Sequence, residues 1–331
     1  MEFSNKNILI LGLGISNLAV MEYLKDKNVG QLTVTDLKDE AKLGEIVLQA
    51  KKIFPGAKFV LGRHNEDDFI KAGLIVKSPS ITSSVPLVQK ALAKGVPVES
   101  DVSLFFKLCP SQKIIGVTGT KGKTTTATFL AQVLEAQGKH TILAGNMGIP
   151  VMSQLSRITK NSWVVLELSS YMAESLEAHR ISPRVAVYTN IFPDHLDQYK
   201  SFDDYVVSKK GLYRYQGEND ITLFGASCPN LKKLQPEVVA RLICYSRKDL
   251  PKDIKLKLMG GHNRDNLAAG FVSARELKMD IGKVAETAEH FTGLEHRMEN
   301  LGEINEREFI NNSAATNPGG GRQFKEQVFK K

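Results

Sequence analysis

Short apolar runs alternate with polar segments of helical spacing over the first third of the chain. Between the first two runs, apolar residues recur at helical spacing over residues 18–25, which predicts a strand–helix–strand unit. This alternation is typical of parallel strands in an open α/β sheet. The strands are predicted at residues 8–11, 32–35, 59–61, 74–76 and 96–98. We therefore predict a Rossmann-like parallel-sheet domain over residues 1–110.

A second unit of the same kind opens at Lys113. An apolar strand at residues 114–118 runs into a glycine-rich loop and then into a helix at 123–137, which Gly138 would end. Further strands are predicted at residues 141–143, 162–167, 184–189 and 220–224, and a helical pattern covers 260–290. The pattern predicts a central α/β domain over residues 111–303. Residues 303–311 resemble the first strand of a further unit, but 304–331 is expected to be only a stub.

The composition limits the classes of function. With 331 residues and 42% hydrophobic content, the chain can form two full-sized cores. The net charge of +8 favours anionic ligands, but the basic residues are mixed with acidic ones, so no nucleic-acid partner is predicted. Three cysteines lie far apart, which predicts no disulfide framework and a cytoplasmic location. The sequence has no run of about 18 apolar residues, so no membrane span is predicted. We expect a monomer.

Residues 116–126, Gly-Val-Thr-Gly-Thr-Lys-Gly-Lys-Thr-Thr-Thr, carry the strongest chemical signal. Gly119 and Gly122 would let the backbone curl so that its N–H groups and the start of the following helix point at phosphate oxygens. Lys123 would neutralise phosphate charge, and the Thr124 hydroxyl would bind a magnesium ion. This pattern predicts a P-loop that binds ATP. The predicted ATP-binding residues of the loop are Gly119, Thr120, Lys121, Gly122, Lys123, Thr124 and Thr125.

Polar groups follow the later apolar strands. Glu167 ends the strand predicted at 162–167, where an α/β sheet presents ligand groups, and its carboxylate suits magnesium. The segment Asp-His-Leu-Asp at 194–197 includes His195 and indicates either a metal ligand or acid–base group, or the cap of a helix. Lys209 lies on a helical pattern and by itself indicates a solvated charge.

A partial dinucleotide-binding pattern follows the first strand. Gly12 and Gly14 match its first two glycines, but the third glycine is missing. Asp36 follows about twenty residues later at the end of a strand, where it could hydrogen-bond a ribose or a base. These residues alone leave an NAD-binding site open as an alternative.

Taken in order, these motifs resemble those of the Mur ligases, and the resemblance covers nearly the whole chain. The matching segments are Gly12-Leu-Gly-Ile-Ser16, residues 116–126, Gly145-Asn-Met-Gly148, Glu167-Leu-Ser-Ser170, Asp194-His-Leu-Asp197, Gly261-His-Asn-Arg-Asp-Asn266 and Leu294-Glu-His-Arg-Met-Glu299. The first segment is typical of the members that add D-glutamate to UDP-N-acetylmuramoyl-L-alanine. The resemblance implies an ATP-dependent ligase of peptidoglycan synthesis. In this reaction ATP phosphorylates the substrate carboxylate, and the amine of an amino acid attacks the acyl phosphate.

The resemblance also implies roles for individual residues. Lys123 and Thr124 would hold the γ-phosphate and its magnesium ion, which Glu167 would share. His195 would bind a second magnesium ion, and Lys209 would be carbamylated and bridge the metal site. The residues implied to contact the adenosine are Asn263, Asn266 and Arg297. The residues implied to bind the UDP-linked substrate are Gly14, Ile15, Ser16, Asp36 and Lys38, with Asn146 and Ser169 nearer the muramoyl group.

The end of the chain departs from the family pattern. A third domain, which binds D-glutamate in the family, would begin near residues 309–317, where Asn312 and Ala314 replace an acidic residue and a lysine. We therefore expect a third domain that is essentially absent and a ligase that is incomplete in this chain. The alternatives are a non-catalytic protein that keeps the nucleotide sites, or a Mur-type ligase that adds another amino acid.

Overall fold

The first unit is an open parallel sheet with helices packed on it. The computed structural model describes residues 2–82, 84–194, 197–258, 260–296, 299–304, 307–311 and 313. The elements of the first unit are β1 (Ile8–Leu11), α1 (Ile15–Leu24), β2 (Leu32–Asp36), α2 (Glu40–Leu43), α3 (Glu45–Ile53), β3 (Lys58–Leu61), α4 (Glu66–Ile70), β4 (Leu74–Lys77), α5 (Pro86–Ala93), β5 (Val98–Ser100) and α6 (Asp101–Leu108). The strand order is β3-β2-β1-β4-β5, with every pair parallel. The carboxyl end of β1 therefore lies at a switch point of the sheet, where open α/β sheets bind ligands.

The second unit has the same architecture with six parallel strands. Its elements are β6 (Ile114–Thr118), α7 (Lys123–Ala136), β7 (Thr141–Gly145), β8 (Trp163–Glu167), α8 (Ser170–His179), β9 (Val185–Tyr188), α9 (Phe202–Lys209), β10 (Ile221–Gly225), α10 (Pro229–Leu234), β11 (Arg241–Tyr245), α11 (Gly261–Glu276) and α12 (Ile281–His290). The strand order is β11-β10-β9-β6-β8-β7. Here β6 occupies the switch point, so the glycine-rich loop that follows it lies at the ligand-binding edge. The two sheets confirm the predicted α/β fold class.

Several predicted elements differ in detail from those observed. The strand predicted at residues 96–98 lies at Val98–Ser100, because the Val96 N–H still bonds to the carbonyl of Ala91 at the end of α5. Strand β11 was not predicted, because it is an edge strand in which only Tyr245 is buried. The helical pattern at 260–290 is two helices, and the described residues 303–304 and 307–311 belong to a pair of strands. These antiparallel strands are β12 (Glu299–Ile304) and β13 (Arg307–Asn311).

The two units pack directly against each other. Helix α6 of the first unit contacts α8 of the second and the 3-10 helix Val151–Arg157. One hydrophobic cluster of buried side chains runs through both units. The hydroxyls of Ser100 and Ser175, both buried, lie 2.6 Å apart across the interface. No helix in the described part of the chain is long and apolar enough to cross a membrane.

A group of polar and charged side chains around the buried carboxylate of Glu99 spans the same interface. We call Glu99, Ser103, Lys107 and His179 the Glu99 cluster. Glu99 is 3% exposed, and its carboxylate accepts hydrogen bonds from Lys107 Nζ and, at 2.6 Å, from Ser103 Oγ. His179 Nε2 lies 3.1 Å from the carboxylate and 2.9 Å from the Val98 carbonyl, and Nδ1 lies 2.8 Å from the Ser175 carbonyl. Because both ring nitrogens face acceptors, the geometry favours the charged imidazolium.

Candidate active site

Contacts with the end of β9 hold the glycine-rich loop in place. The Lys121 N–H donates to the Asn190 side-chain oxygen at 2.9 Å, and the Lys121 carbonyl accepts from Thr189 Oγ1 at 2.6 Å and from Asn190 Nδ2 at 3.0 Å. The Thr120 N–H donates to the Asn190 carbonyl at 2.9 Å. Gly119 has a φ of +149°, and a Cβ there would lie 1.9 Å from Thr189 Oγ1. The loop therefore requires glycine at this position for both backbone and space.

The end of the loop forms the start of helix α7 and contacts the predicted adenosine residues. Gly122 has a φ of +84°, and a Cβ there would lie 2.2 Å from Asn266 Oδ1. Asn263 and Asn266 are both buried, and Asn266 Nδ2 donates to Asn263 Oδ1 at 3.3 Å. The structure thus brings the start of α11 against the loop, as the prediction of one nucleotide site requires. Lys123 Nζ donates to the Thr120 carbonyl at 3.0 Å, within the loop itself. Thr124 and Thr125 follow in the first turn of α7.

Glu167 ends strand β8 and pairs in register with Val117 of β6, one strand from the loop. Its side chain is almost completely buried, with 2% exposure. Oε1 accepts a hydrogen bond from Asn146 Nδ2 at 3.1 Å, whereas Oε2 is buried without a partner. A buried acceptor of this kind costs free energy unless a donor or cation meets it. The carboxylate therefore fits a magnesium ion beside the phosphate loop.

Lys209, at the end of α9, lies beneath the loop with 2% exposure. Its Nζ donates to the Gly119 carbonyl at 3.3 Å and lies 4.7 Å from the centre of the Tyr205 ring. Burial holds the pKa of Lys209 well below its usual value, and the nearby charge of Lys123 lowers it further. Lys209 is therefore not the solvated charge that its sequence context alone indicated.

Two predicted residues lie outside the described part of the chain. They are His195, the predicted second metal ligand, and Arg297, the predicted adenosine contact. Among the residues that the structure does describe, no group of three or more His, Cys, Asp and Glu is placed to hold a metal ion.

A cavity of about 430 Å³ lies between the two units, and we call it the interdomain cavity. Four predicted substrate-binding residues line it: Ile15, Ser16, Asn146 and Ser169. The other lining residues are Ser78, Pro79, Ser80, Asp101, Gly145, Gly148, Pro150, Val151, Tyr171 and Met172. Gly14 caps the start of α1, and Ser169 caps the start of α8. The N-termini of two helices therefore flank the cavity, and helix N-termini favour anionic groups.

Asp36 and Lys38 do not line the interdomain cavity. The Asp36 carboxylate accepts the backbone N–H groups of Leu13 and Lys38, each at 2.8 Å. Asp36 therefore fastens the turn after β1 to the end of β2, which is a structural role in addition to the predicted contact with a ribose or base.

Sequence reasoning missed three residues that shape these sites. Thr189 and Asn190 hold the phosphate loop, and Asp101 is a buried carboxylate at the interdomain cavity. Thr189 and Asn190 follow an apolar strand, which is the same signal that identified Glu167. Asp101 gave a weaker signal, because a Ser-Asp pair before an apolar run indicates only the start of a helix.

Comparison with known proteins identifies the family. The sequence profile of the Mur ligase middle domain matches residues 117–254, and that of the Mur ligase MurD-like N-terminal domain matches residues 6–100. The UDP-N-acetylmuramoylalanine–D-glutamate ligase of Clostridium tetani is 33% identical over 95% of this chain and 71% of its own length. The ligase of the same name from Clostridium novyi is 33% identical over 98% of this chain and 74% of its own length.

Solved structures show the same fold. UDP-N-acetylmuramate-alanine ligase MurC from Thermotoga maritima has a TM-score of 0.58 at 23% identity, over 98% of this chain and 78% of that one. The MPL ligase from Neisseria meningitides has a TM-score of 0.59 at 22% identity, over 88% of this chain and 100% of that one. At these identities the likeness concerns the fold alone.

The fold, the phosphate loop and the sequence matches together define an ATP-dependent ligase. The chain belongs to the Mur ligase family, and its N-terminal domain is of the MurD-like kind. Mur ligases use ATP and magnesium to form amide bonds on small-molecule substrates in peptidoglycan synthesis. The family, the enzyme class and the general use of ATP and magnesium predicted from the sequence are therefore confirmed.

Proposed function

We propose that this chain acts on UDP-N-acetylmuramoyl-L-alanine and D-glutamate, forming the amide bond through an acyl phosphate. The observation that carries the proposal is the pairing of a preformed phosphate loop with the buried, partnerless oxygen of Glu167. The 33% identity to two ligases named for this reaction supports the choice of substrate.

In the proposed reaction, the loop from Gly119 to Thr125 binds the phosphates of ATP through its backbone N–H groups and the start of α7. Lys123 neutralises charge that develops on the transferred phosphoryl group. Thr124 and Glu167 would hold magnesium, which would screen the negative charges of ATP and the substrate carboxylate from each other. The substrate carboxylate attacks the γ-phosphorus and ADP leaves, after which the D-glutamate amine attacks the acyl carbon and phosphate leaves.

We further propose that Lys209 is carbamylated. Its amine is buried beside the loop, and its lowered pKa favours the neutral form that reacts with carbon dioxide. The lone pair of the neutral amine forms a bond to the carbon of carbon dioxide, one C–O π pair moves onto oxygen and one proton leaves the nitrogen, so the neutral amine becomes a carbamate anion. Such an anion would join Glu167 in holding magnesium, and His195 would hold a second ion.

The remaining assignments follow the positions of the residues. Asn263 and Asn266, packed on the loop, would contact the adenosine together with Arg297. The residues Gly14, Ile15, Ser16, Asp36 and Lys38 would bind the UDP portion, and Asn146 and Ser169 the muramoyl portion. We propose a monomer in the cytoplasm, in keeping with the three free cysteines, Cys109, Cys228 and Cys244.

Calorimetric titration tests this function. The chain should bind ATP with magnesium and, separately, UDP-N-acetylmuramoyl-L-alanine. Lys123→Ala should weaken ATP binding at least about tenfold, because a charge-assisted contact to phosphate is lost, and should leave the UDP-linked substrate unaffected. Lys139→Ala, just beyond the far end of the same helix, is the matched control and should change neither affinity. Absence of binding for both ligands in the unaltered chain would refute the proposed function.

Carbamylation of Lys209 has its own test. After incubation with isotope-labelled bicarbonate, carbon NMR should show a carbamate resonance that Lys209→Met lacks. A spectrum without that resonance at saturating bicarbonate would contradict the assignment.

A further inference from the structure

Asp101 is a buried carboxylate at the start of α6, where the helix alone does not fully satisfy its oxygens. It is the first residue of α6 and is 1% exposed, yet it lines the interdomain cavity. Neither of its carboxylate oxygens has a hydrogen-bond partner at standard geometry, although the Ser16 hydroxyl and the Val102 N–H lie near enough to lower its pKa. Buried polar groups are almost always paired in native proteins, so an orphaned pair of oxygens at a cavity wall points to a ligand.

The groups around Asp101 leave its hydrogen-bonding capacity open. Burial raises its pKa to about 6, and the Ser16 hydroxyl on α1 and the Lys77 ammonium on β4 partly oppose this rise. Lys77 is itself 5% exposed, and its Nζ donates to the Ile81 carbonyl at 2.7 Å. The charge of Lys77 is also shared with Glu174 on α8. Lys77 therefore balances the charge of Asp101 through space, while the carboxylate oxygens still lack a hydrogen bond of standard geometry.

The chemistry of the Asp101 carboxylate indicates which part of a ligand it would contact. An ionised carboxylate accepts hydrogen bonds and repels phosphate, so it does not match the diphosphate of a UDP-linked substrate. It matches neutral donors, namely sugar hydroxyls and amide N–H groups. The neighbouring lining residues Asn146 and Ser169 also carry groups suited to a sugar or peptide.

We propose that Asp101 is a substrate-recognition residue that accepts a hydrogen bond from a hydroxyl or amide N–H on the sugar-peptide part of the substrate. This inference rests on the proposed function, since it takes the interdomain cavity as the substrate site. Asp101 then adds specificity to the part of the substrate beyond the diphosphate, and it affects the UDP end only through its contact with Ser16.

Comparing the dissociation constants of two ligands distinguishes recognition of the sugar-peptide part from a general effect on the site. Asp101→Asn removes the charge at nearly constant shape. We expect its dissociation constant for UDP-N-acetylmuramoyl-L-alanine to rise at least about tenfold, as for loss of a hydrogen bond to a charged group. Binding of UDP alone should weaken clearly less than binding of the full substrate, because Asp101 touches the proposed UDP site only through Ser16.

The melting temperature of Asp101→Asn without ligand shows whether Asp101 recognises substrate or stabilises the fold. The cost of the poorly paired buried carboxylate and the loss of its charge beside Lys77 oppose each other, so Asp101→Asn should leave the melting temperature within about 2 °C of the unaltered chain. The matched control is Asp68→Asn. Asp68 also has a buried, unpaired oxygen, but its other oxygen pairs with Lys58 Nζ at 2.7 Å, far from the interdomain cavity. The control should not raise the melting temperature and should leave both affinities unchanged.

Three outcomes overturn the inference while the proposed function stands. The first is an unchanged affinity of Asp101→Asn for the full substrate. The second is an equal loss of affinity for UDP and the full substrate, which would place the effect at the nucleotide end. The third is a melting temperature lowered by more than about 2 °C, which would make Asp101 a structural residue. If the unaltered chain binds UDP but not UDP-N-acetylmuramoyl-L-alanine, the proposed substrate fails and this inference fails with it.

Discussion

Replacing Glu99 by glutamine should weaken the contact between the two α/β units. Burial alone would raise the pKa of Glu99, but hydrogen bonds from His179, Lys107 and Ser103 outweigh burial and lower the pKa from 4.5 to about 2. A shift of this size corresponds to about 3 kcal/mol in favour of the ionised form. The side chains of Lys107 and His179 are 34% and 16% exposed, so water can partly replace Glu99 as their partner. We therefore expect Glu99→Gln to lower the free energy of unfolding by about 2–3 kcal/mol.

Urea unfolding followed by circular dichroism measures the effect. The control is Glu40→Gln, which breaks the 2.6 Å ion pair between Glu40 and Lys51, whose side chains are 57% and 44% exposed. An exposed pair contributes about 1 kcal/mol or less, so the control should unfold almost as the unaltered chain does. If Glu99→Gln and Glu40→Gln shift the unfolding curve equally, the reasoning about the buried cluster is wrong.

The same cluster sets a dependence of stability on pH. Hydrogen bonding to Glu99 and Ser175 overcomes burial and raises the pKa of His179 above 6.5. The contribution of His179 to the stability of the folded state is therefore complete below pH 6.5 and is lost as pH rises through the folded-state pKa. The lowered pKa of Glu99 acts in the opposite direction, and its contribution is lost as pH falls from 4.5 towards 2. Between about pH 6 and pH 9, the unaltered chain should therefore lose more stability than His179→Gln. Parallel melting-temperature profiles for the two proteins would contradict this assignment.

Three further changes test the candidate active site. Gly119→Ala should cost at least about 2 kcal/mol in urea unfolding, because the new Cβ would overlap Thr189 Oγ1. Glu167→Gln should raise the melting temperature without ligand, since a buried unpaired oxygen loses its charge, and should weaken magnesium-dependent ATP binding by at least about tenfold in calorimetry. Asn190→Ala removes two side-chain contacts to Lys121, so ATP binding should weaken several-fold while binding of the UDP-linked substrate is unchanged.

The sequence predicted those parts of the fold that depend on local pattern. Strands such as β1 and β6 are continuous apolar runs, and the glycine-rich loop is readable because Gly119 and Gly122 meet local backbone requirements. Edge strand β11 escaped prediction because pairing with β10, rather than burial, makes it a strand. Local pattern therefore suffices only where burial or backbone conformation decides the structure.

In the candidate site, too, local pattern predicted some features, and contacts between residues distant in sequence determined the rest. Glu167 was predicted from its place at a strand end, but the partnerless state of its Oε2 depends on neighbours distant in sequence. Lys209 appeared solvated by its own context and became a candidate only through family resemblance, because its burial arises from packing under the loop. Thr189 and Asn190 act on a loop that lies almost seventy positions away in sequence. No local pattern encodes such contacts.

The bonds from Thr189 and Asn190 give the phosphate loop its shape before nucleotide arrives. The conformational entropy of the loop is then lost during folding, so ATP and ADP both bind to a loop that is already ordered. Loop ordering therefore cannot distinguish the two nucleotides. Discrimination must come from groups that reach the terminal phosphate, so exchange of spent for fresh nucleotide depends on those few contacts and on the ratio of the two nucleotides in the surrounding solution.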